Sequence, residues 1–199
     1  MAANDSALIV PGHGTVFYAP RGVALPADPL DAFKLNTDAP AGWTDLGHTS
    51  KENAVELSKD GGDKSQLDTW YADAVRVVYA AEQWSMTVNA LQMTKETLDL
   101  AFRGEHDPVK GRYIIPAATR ATEGQIVVLM QDTTGSMLIY APNTQTTLGD
   151  APSINPENFF EVPLSISILS DPNVTADGLA ARLEFYGGWL RTSAPATND

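Results

Sequence analysis

The sequence predicts a mainly β (α+β) fold: a β-sandwich or barrel with one flanking α-helix. Three observations carry that prediction. Short segments alternate apolar and polar residues with the two-residue period of a strand, most clearly over residues 82–91. Turn residues separate these segments, as in Gly61-Gly62-Asp63 and Asp132-Thr133-Thr134-Gly135. One segment, entered at Thr94, has the cap and the periodicity of a helix.

Residues 1–14 end in Pro11-Gly12-His13-Gly14 and read as a flexible N-terminal arm followed by a turn. A first strand is expected over 15–19, stopped by Pro20. Pro26, Pro29 and Pro40 make residues 21–42 a loop, and 43–48 a short strand follows. Over 52–60 the alternation places Glu52, Ala54, Glu56, Ser58 and Asp60 on one face. Asn53, Val55, Leu57 and Lys59 take the other. Beyond Gly61-Gly62-Asp63, residues 66–72 read as a long hairpin loop whose Trp70 and Tyr71 are expected to be buried. A β-branched strand covers 75–80. In 82–91, Trp84, Met86, Val88 and Ala90 form a core face; Gln83, Ser85, Thr87 and Asn89 form a polar, uncharged one.

In the helix, Thr94 caps the first turn and Glu96 sits near the positive end of the dipole. Leu98, Ala101 and Phe102 are expected to share the buried face. Arg103 closes the last turn, and Gly104 is expected to make the left-handed exit. Strands are expected over 112–116, 124–131 and 136–141, with a tight turn at 132–135 and an extended Thr-rich stretch at 143–148. Residues 158–168 put Phe160, Val162, Leu164, Ile166 and Ile168 on one face, opposite Glu161, Ser165 and Ser167. A last strand, or a short helix, runs over 179–185, and 192–199 are expected to be a disordered tail. The expected organisation is thus an arm (1–14), one β domain (15–191) and a tail (192–199).

The 199 residues are 43% hydrophobic, enough for one self-sufficient core. Cysteine is absent, which excludes disulfides and thiolate metal sites. The first residues lack the basic-then-apolar pattern of a signal peptide, and the longest aliphatic run, 126–130, is far too short to cross a membrane. A soluble product made in the cytoplasm, without a membrane anchor, is the expectation. Acidic residues outnumber basic ones 25 to 13, for a formal charge of −12, and such a surface repels nucleic acid.

Residues that carry chemistry are sparse. His13, His48 and His106 lie far apart, and none has a partner at metal-ligand spacing. Asp132-Thr133-Thr134-Gly135 has one residue too many for an aspartic-protease motif and has no second copy. No nucleophile elbow, phosphate loop or dinucleotide fingerprint occurs. No enzyme and no cofactor are expected. Exposed strand edges and polar strand faces point instead to self-assembly.

Several segments, in order, resemble a known family. Gly12-His13-Gly14-Thr15-Val16-Phe17-Tyr18-Ala19-Pro20 and Gly42-Trp43-Thr44-Asp45-Leu46-Gly47-His48-Thr49-Ser50 are similar to the opening of major tail proteins of long-tailed, non-contractile phages of actinobacteria. Gln66-Leu67-Asp68-Thr69-Trp70, Trp84-Ser85-Met86-Thr87-Val88-Asn89-Ala90-Leu91 and Thr94-Lys95-Glu96-Thr97-Leu98 follow in the same order. The resemblance runs from about Gly12 to Gly188 and rests on packing and turn signatures.

The resemblance implies a tail-tube β fold with an N-terminal arm and a long inter-ring loop. It implies hexameric rings stacked around a tape-measure protein, ended by tail-terminator and tail-tip proteins. Double-stranded DNA is met only in transit, during genome delivery from the virion. Some members add a C-terminal immunoglobulin-like domain, for which this length is expected to leave no room.

Two polar stripes are candidates for the lumen wall: Glu52, Glu56 and Asp60, or Gln83, Ser85, Thr87 and Asn89. Trp43, Trp70 and Tyr71 are candidate inter-subunit anchors. The competing readings are a capsid decoration or tail-terminator protein, a monomeric ligand-binding β-barrel, and an enzyme whose pocket is assembled from scattered residues.

Overall fold

Two strands of consecutive apolar residues decide the architecture. The computed structural model describes residues 8–118 and 120–191, so the expected tail and the first seven residues of the arm lie outside the described residues. In order, the elements are β1 (His13–Pro20), α1 (Pro29–Ala32), β2 (Thr44–Asp45), β3 (Glu56–Gly61), β4 (Lys64–Leu67), β5 (Arg76–Tyr79) and β6 (Glu82–Ala90). Then come α2 (Lys95–Phe102), β7 (Glu105–Asp107), β8 (Arg112–Ile114), β9 (Thr122–Gln131) and β10 (Ser136–Leu148). The chain continues through β11 (Val162–Ile168), β12 (Asp171–Ala176), β13 (Leu179–Ala181) and β14 (Glu184–Gly187) to a 3-10 turn at Gly188–Leu190. The mainly β expectation holds.

The main sheet is antiparallel, in the order β2-β1-β9-β10-β11-β6-β3, with β14 also pairing to β10. β1 and β9 are buried on both faces. Val16, Ile126 and Val128 enter one core with Met86, Val88, Leu164 and Ile166. Phe17, Val127 and Leu129 enter a second with Phe33, Trp43, Leu138 and Tyr140. Successive side chains point to opposite faces, so a continuous apolar run feeds two cores at once.

β10 links the two halves of the sheet. Its first part, Met137 to Tyr140, pairs with β14; its second, Thr144 to Leu148, pairs with β11. The register shifts between Ala141 and Thr144. Pro142 lies in that gap. It has no N–H to give the ladder, so a bulge and a change of partner are tolerated there.

α2 covers the first core. Thr94 Oγ1 accepts the N–H of Thr97, as the sequence predicts. The buried stripe is Thr97, Leu100 and Ala101, whereas Leu98 and Phe102 are only half-buried, so the predicted face is rotated. The helix exit also differs. Arg103 itself takes the left-handed conformation (φ 47°), its guanidinium donating to Ala121 O at 2.8 Å. Gly104 serves close approach instead: a Cβ there would lie 2.2 Å from Ile114 O.

Other expectations are corrected by long-range packing. The Pro-rich loop holds the short helix α1, with Pro29 in its first turn, and drives Phe33 into the second core. Gln125 Nε2 ties that loop down by donating to Pro20 O (3.1 Å) and Val23 O (2.7 Å). The predicted last strand is split: Leu179–Ala181 turns back on β12, and Glu184–Gly187 joins β10. Phe160 precedes β11 and is exposed.

Candidate lumen face and assembly surfaces

β3 begins at Glu56; residues 51–53 form a bend, so Glu52 stands outside the strand, not in its acidic stripe. The bend is fixed locally by Ser50 Oγ accepting the N–H of Asn53 at 3.1 Å. From Glu56 onward the two candidate stripes lie side by side. Glu56 pairs with Thr87, Ser58 with Ser85 and Asp60 with Gln83. Directly paired residues point to the same side of a sheet, so both stripes belong to one face.

The face extends further than either stripe. Across β6 lie Pro163, Ser165 and Ser167 of β11, opposite Asn89, Thr87 and Ser85. Then come Thr147 and Gln145 of β10, and Glu123 of β9 beside Gln145. One row therefore reads Ser58, Ser85, Ser167, Gln145, Glu123 across five strands. The opposite side of the same strands is the first core, through Leu57, Met86, Val88, Leu164 and Ile166.

This polar face carries no lysine or arginine. The one basic residue of β3, Lys59, faces the other way: its Nζ lies 2.7 Å from Glu82 Oε1 and 6.0 Å from the Trp84 ring centroid. The hydrogen bond from Lys59, and a second from Trp84, hold the Glu82 carboxyl below its usual range. The side chains of this face are mainly hydroxyls and amides, with Glu56, Asp60 and Glu123 as charges. Such a surface offers phosphate groups no cation and bases no bidentate guanidinium.

The second surface is a hairpin. β4 and β5 pair (Lys64 with Tyr79, Leu67 with Arg76) and prolong β3 and β6 beyond the sheet. The bonds Gly62 N to Ala81 O (3.3 Å) and Ala80 N to Asp63 O (2.9 Å) carry the ladder across the joint. The joint itself is Gly61-Gly62, both at φ +76°, and a Cβ on Gly61 would meet Ala81 O at 2.4 Å.

The expectation of buried aromatics is overturned here: Trp70 is 109% and Tyr71 99% exposed at the tip. The tip turn is closed by Thr69 and Ala72 and by Asp68 accepting from Ala74, and among the described residues nothing covers the two rings. Leu67, Val75, Val77, Val78 and Tyr79 are exposed as well.

Trp43 differs from the tip aromatics. It is 6% exposed, packs edge-on to Phe33 and Tyr140, and donates Nε1–H to Ala24 O at 3.3 Å. Most of its surface is spent inside its own subunit, which leaves little for a neighbour. Sequence reading missed Ser165, Ser167, Gln145 and Thr147 as members of the polar face. Their alternation was visible, but the pairing of β11 with β6 is long-range.

Among the described residues, no group of three or more His, Asp or Glu side chains converges to hold a metal ion. No helix among them is long and apolar enough to cross a membrane.

A family model for phage tail tube proteins matches residues 1–180. The chain belongs to the phage tail tube family. Two curated relatives are the major tail protein Gp23 of Mycobacterium phage D29 and that of Mycobacterium phage L5. The first is 24% identical over 139 residues, covering 66% of this chain and 69% of the relative. The second is 26% identical over 138 residues, with the same coverage. This tail tube protein is a structural component of the virion tail and not an enzyme. Tail tube proteins self-assemble, which gives the uncovered hairpin and the polar face a context.

Proposed function

We propose that this tail tube protein assembles into hexameric rings that stack into a hollow tube, with the polar face of β3, β6, β11 and β10 lining the channel for the genome. The observation that carries this reading is the cation-free face spread over five strands. Double-stranded DNA carries a charge about every 1.7 Å, so a wall with even a few exposed lysines would retain it electrostatically. A wall of serine, threonine and glutamine with scattered carboxylates does not. The free edge of β3 supplies backbone groups that a neighbouring subunit can pair with to continue the wall.

The β4–β5 hairpin, with Trp70 and Tyr71, and the N-terminal arm are the inter-ring contacts in this reading. The tape-measure protein fills the channel before DNA, and terminator and tip proteins close its ends. The test is negative-stain electron microscopy of the concentrated protein at several salt concentrations. Rings or tubes with a central hole support the reading. A population that stays monomeric, even with the tape-measure protein present, overturns it.

A further inference from the structure

The hairpin leaves β3 and β6 at one end, beyond the Gly61–Glu82 pair. At the other end of β6, a groove opens. Leu91, Pro156 and Phe159 supply its apolar lining, and Thr49, Ser50, Asn158 and four charged residues make up the rest. It is anchored to the strand end by the Thr49–Ala90 bridge and by Ser50 N donating to Asn89 O at 2.8 Å. Phe159 is 81% exposed on its rim. Eight residue steps separate Glu82 from Ala90, about 27 Å of strand at about 3.4 Å per residue. The chain therefore presents an uncovered aromatic projection and a groove with an apolar patch at opposite ends of one strand.

We infer that this groove is the receptor for the Trp70–Tyr71 hairpin tip of a second copy of the chain in the adjoining ring. The inference rests on the stacked-ring reading and adds to it the surface that receives the hairpin. A projection and a recess at opposite ends allow a heterologous, head-to-tail contact, which builds an open stack where its rotation does not close a ring. The chemistry fits. Two rings left exposed among the described residues meet Phe159, Leu91 and Pro156, where aromatic stacking and burial supply the attraction.

Charge opposes the contact. Glu52, Glu157 and Glu161 outnumber Lys51 around the groove, and Asp68 and Asp73 outnumber Arg76 around the tip. Docking is therefore driven by apolar burial and strengthens as salt screens the like charges.

The absence of cysteine allows a clean test. Tyr71→Cys and Asn158→Cys are made as separate single variants, mixed, assembled and oxidised. A Tyr71→Cys and Val109→Cys mixture is the control, since Val109 is exposed on a different hairpin. Strong enrichment of disulfide-linked dimer in the Tyr71/Asn158 tubes, over the control, is expected. Tubes that form normally without that enrichment overturn the groove assignment and leave stacking intact. A wild-type chain that never stacks overturns both. As a second measurement, the double variant Trp70→Ala/Tyr71→Ala is expected to keep the wild-type melting temperature and to lose long tubes. Wild-type tube lengths from that variant contradict the inference.

Discussion

The carboxylate of Asp132 accepts the backbone N–H of Val10 at 2.9 Å, across 122 residues of sequence. The same side chain builds the β9–β10 turn: its Oδ1 accepts from Thr134 Oγ1, from Thr134 N and from Gly135 N (2.9 Å). The Thr134 hydroxyl, the Val10 N–H and the two turn N–H groups together hold its pKa down to about 2. A depressed carboxylate contributes stability that is present above its unfolded value of about 3.9 and is lost as pH falls through about 2. Hydrogen-exchange protection of the Val10 amide is therefore expected to disappear between about pH 4 and pH 2. Asp132→Asn keeps one carbonyl oxygen for the turn and replaces the Val10 acceptor with an amide. It is expected to abolish Val10 protection at every pH while leaving the melting temperature nearly unchanged. Intact Val10 protection in that variant refutes the tether.

Trp43 and Trp70 make a controlled comparison, being the same residue type in opposite surroundings. Trp43→Ala opens a cavity among Phe33, Tyr140 and the Pro-rich loop and is expected to cost about 3–5 kcal/mol. Trp70→Ala removes a ring that touches solvent and is expected to change subunit stability by less than about 0.5 kcal/mol. Denaturant melts of the two monomeric variants check this. Equal losses contradict the placement of either residue.

Charge on the polar face is expected to control DNA transit. Ser85→Arg with Ser167→Arg places two guanidiniums side by side on neighbouring strands. Tubes of this variant are expected to bind double-stranded DNA at low salt, with log affinity falling by about 0.9 per log salt for each phosphate contacted. Genome release from particles carrying them is expected to slow. Filter binding at graded salt measures the first effect, and unchanged DNA affinity speaks against a lumen position.

Gly61→Ala tests the joint of the hairpin. Its φ of +76° and the 2.4 Å approach to Ala81 O leave no room for a Cβ. The substitution is expected to cost at least about 1 kcal/mol and to redirect β4 and β5, with a larger loss in tube formation than in subunit melting. Parallel melting and light-scattering assays separate the two.

Local features of this fold were legible in the sequence, and partnerships were not. The Thr94 cap, the Asp132 turn and the alternation of Glu82–Ala90 depend on residues close in the chain, and each has the predicted form. The alternation from Glu52 suggested a longer strand, because it could not register that Ser50 caps a bend at Asn53. Trp70 looked like core because a lone chain seldom exposes two adjacent rings, and an assembling subunit has partners its own sequence does not display. The two polar stripes read as alternatives because their adjacency rests on β3 pairing with β6 across the inserted hairpin. The remaining members of the face needed the β10-β11-β6 order, which no local pattern encodes.

The most direct measurement is a cryo-electron microscopy reconstruction of the assembled tube at side-chain resolution. The prediction is a channel wall built from Ser58, Ser85, Ser167 and Gln145, with the Trp70–Tyr71 tip reaching the next ring. A tube whose outer surface carries that polar row, with any other face toward the channel, contradicts the central claim.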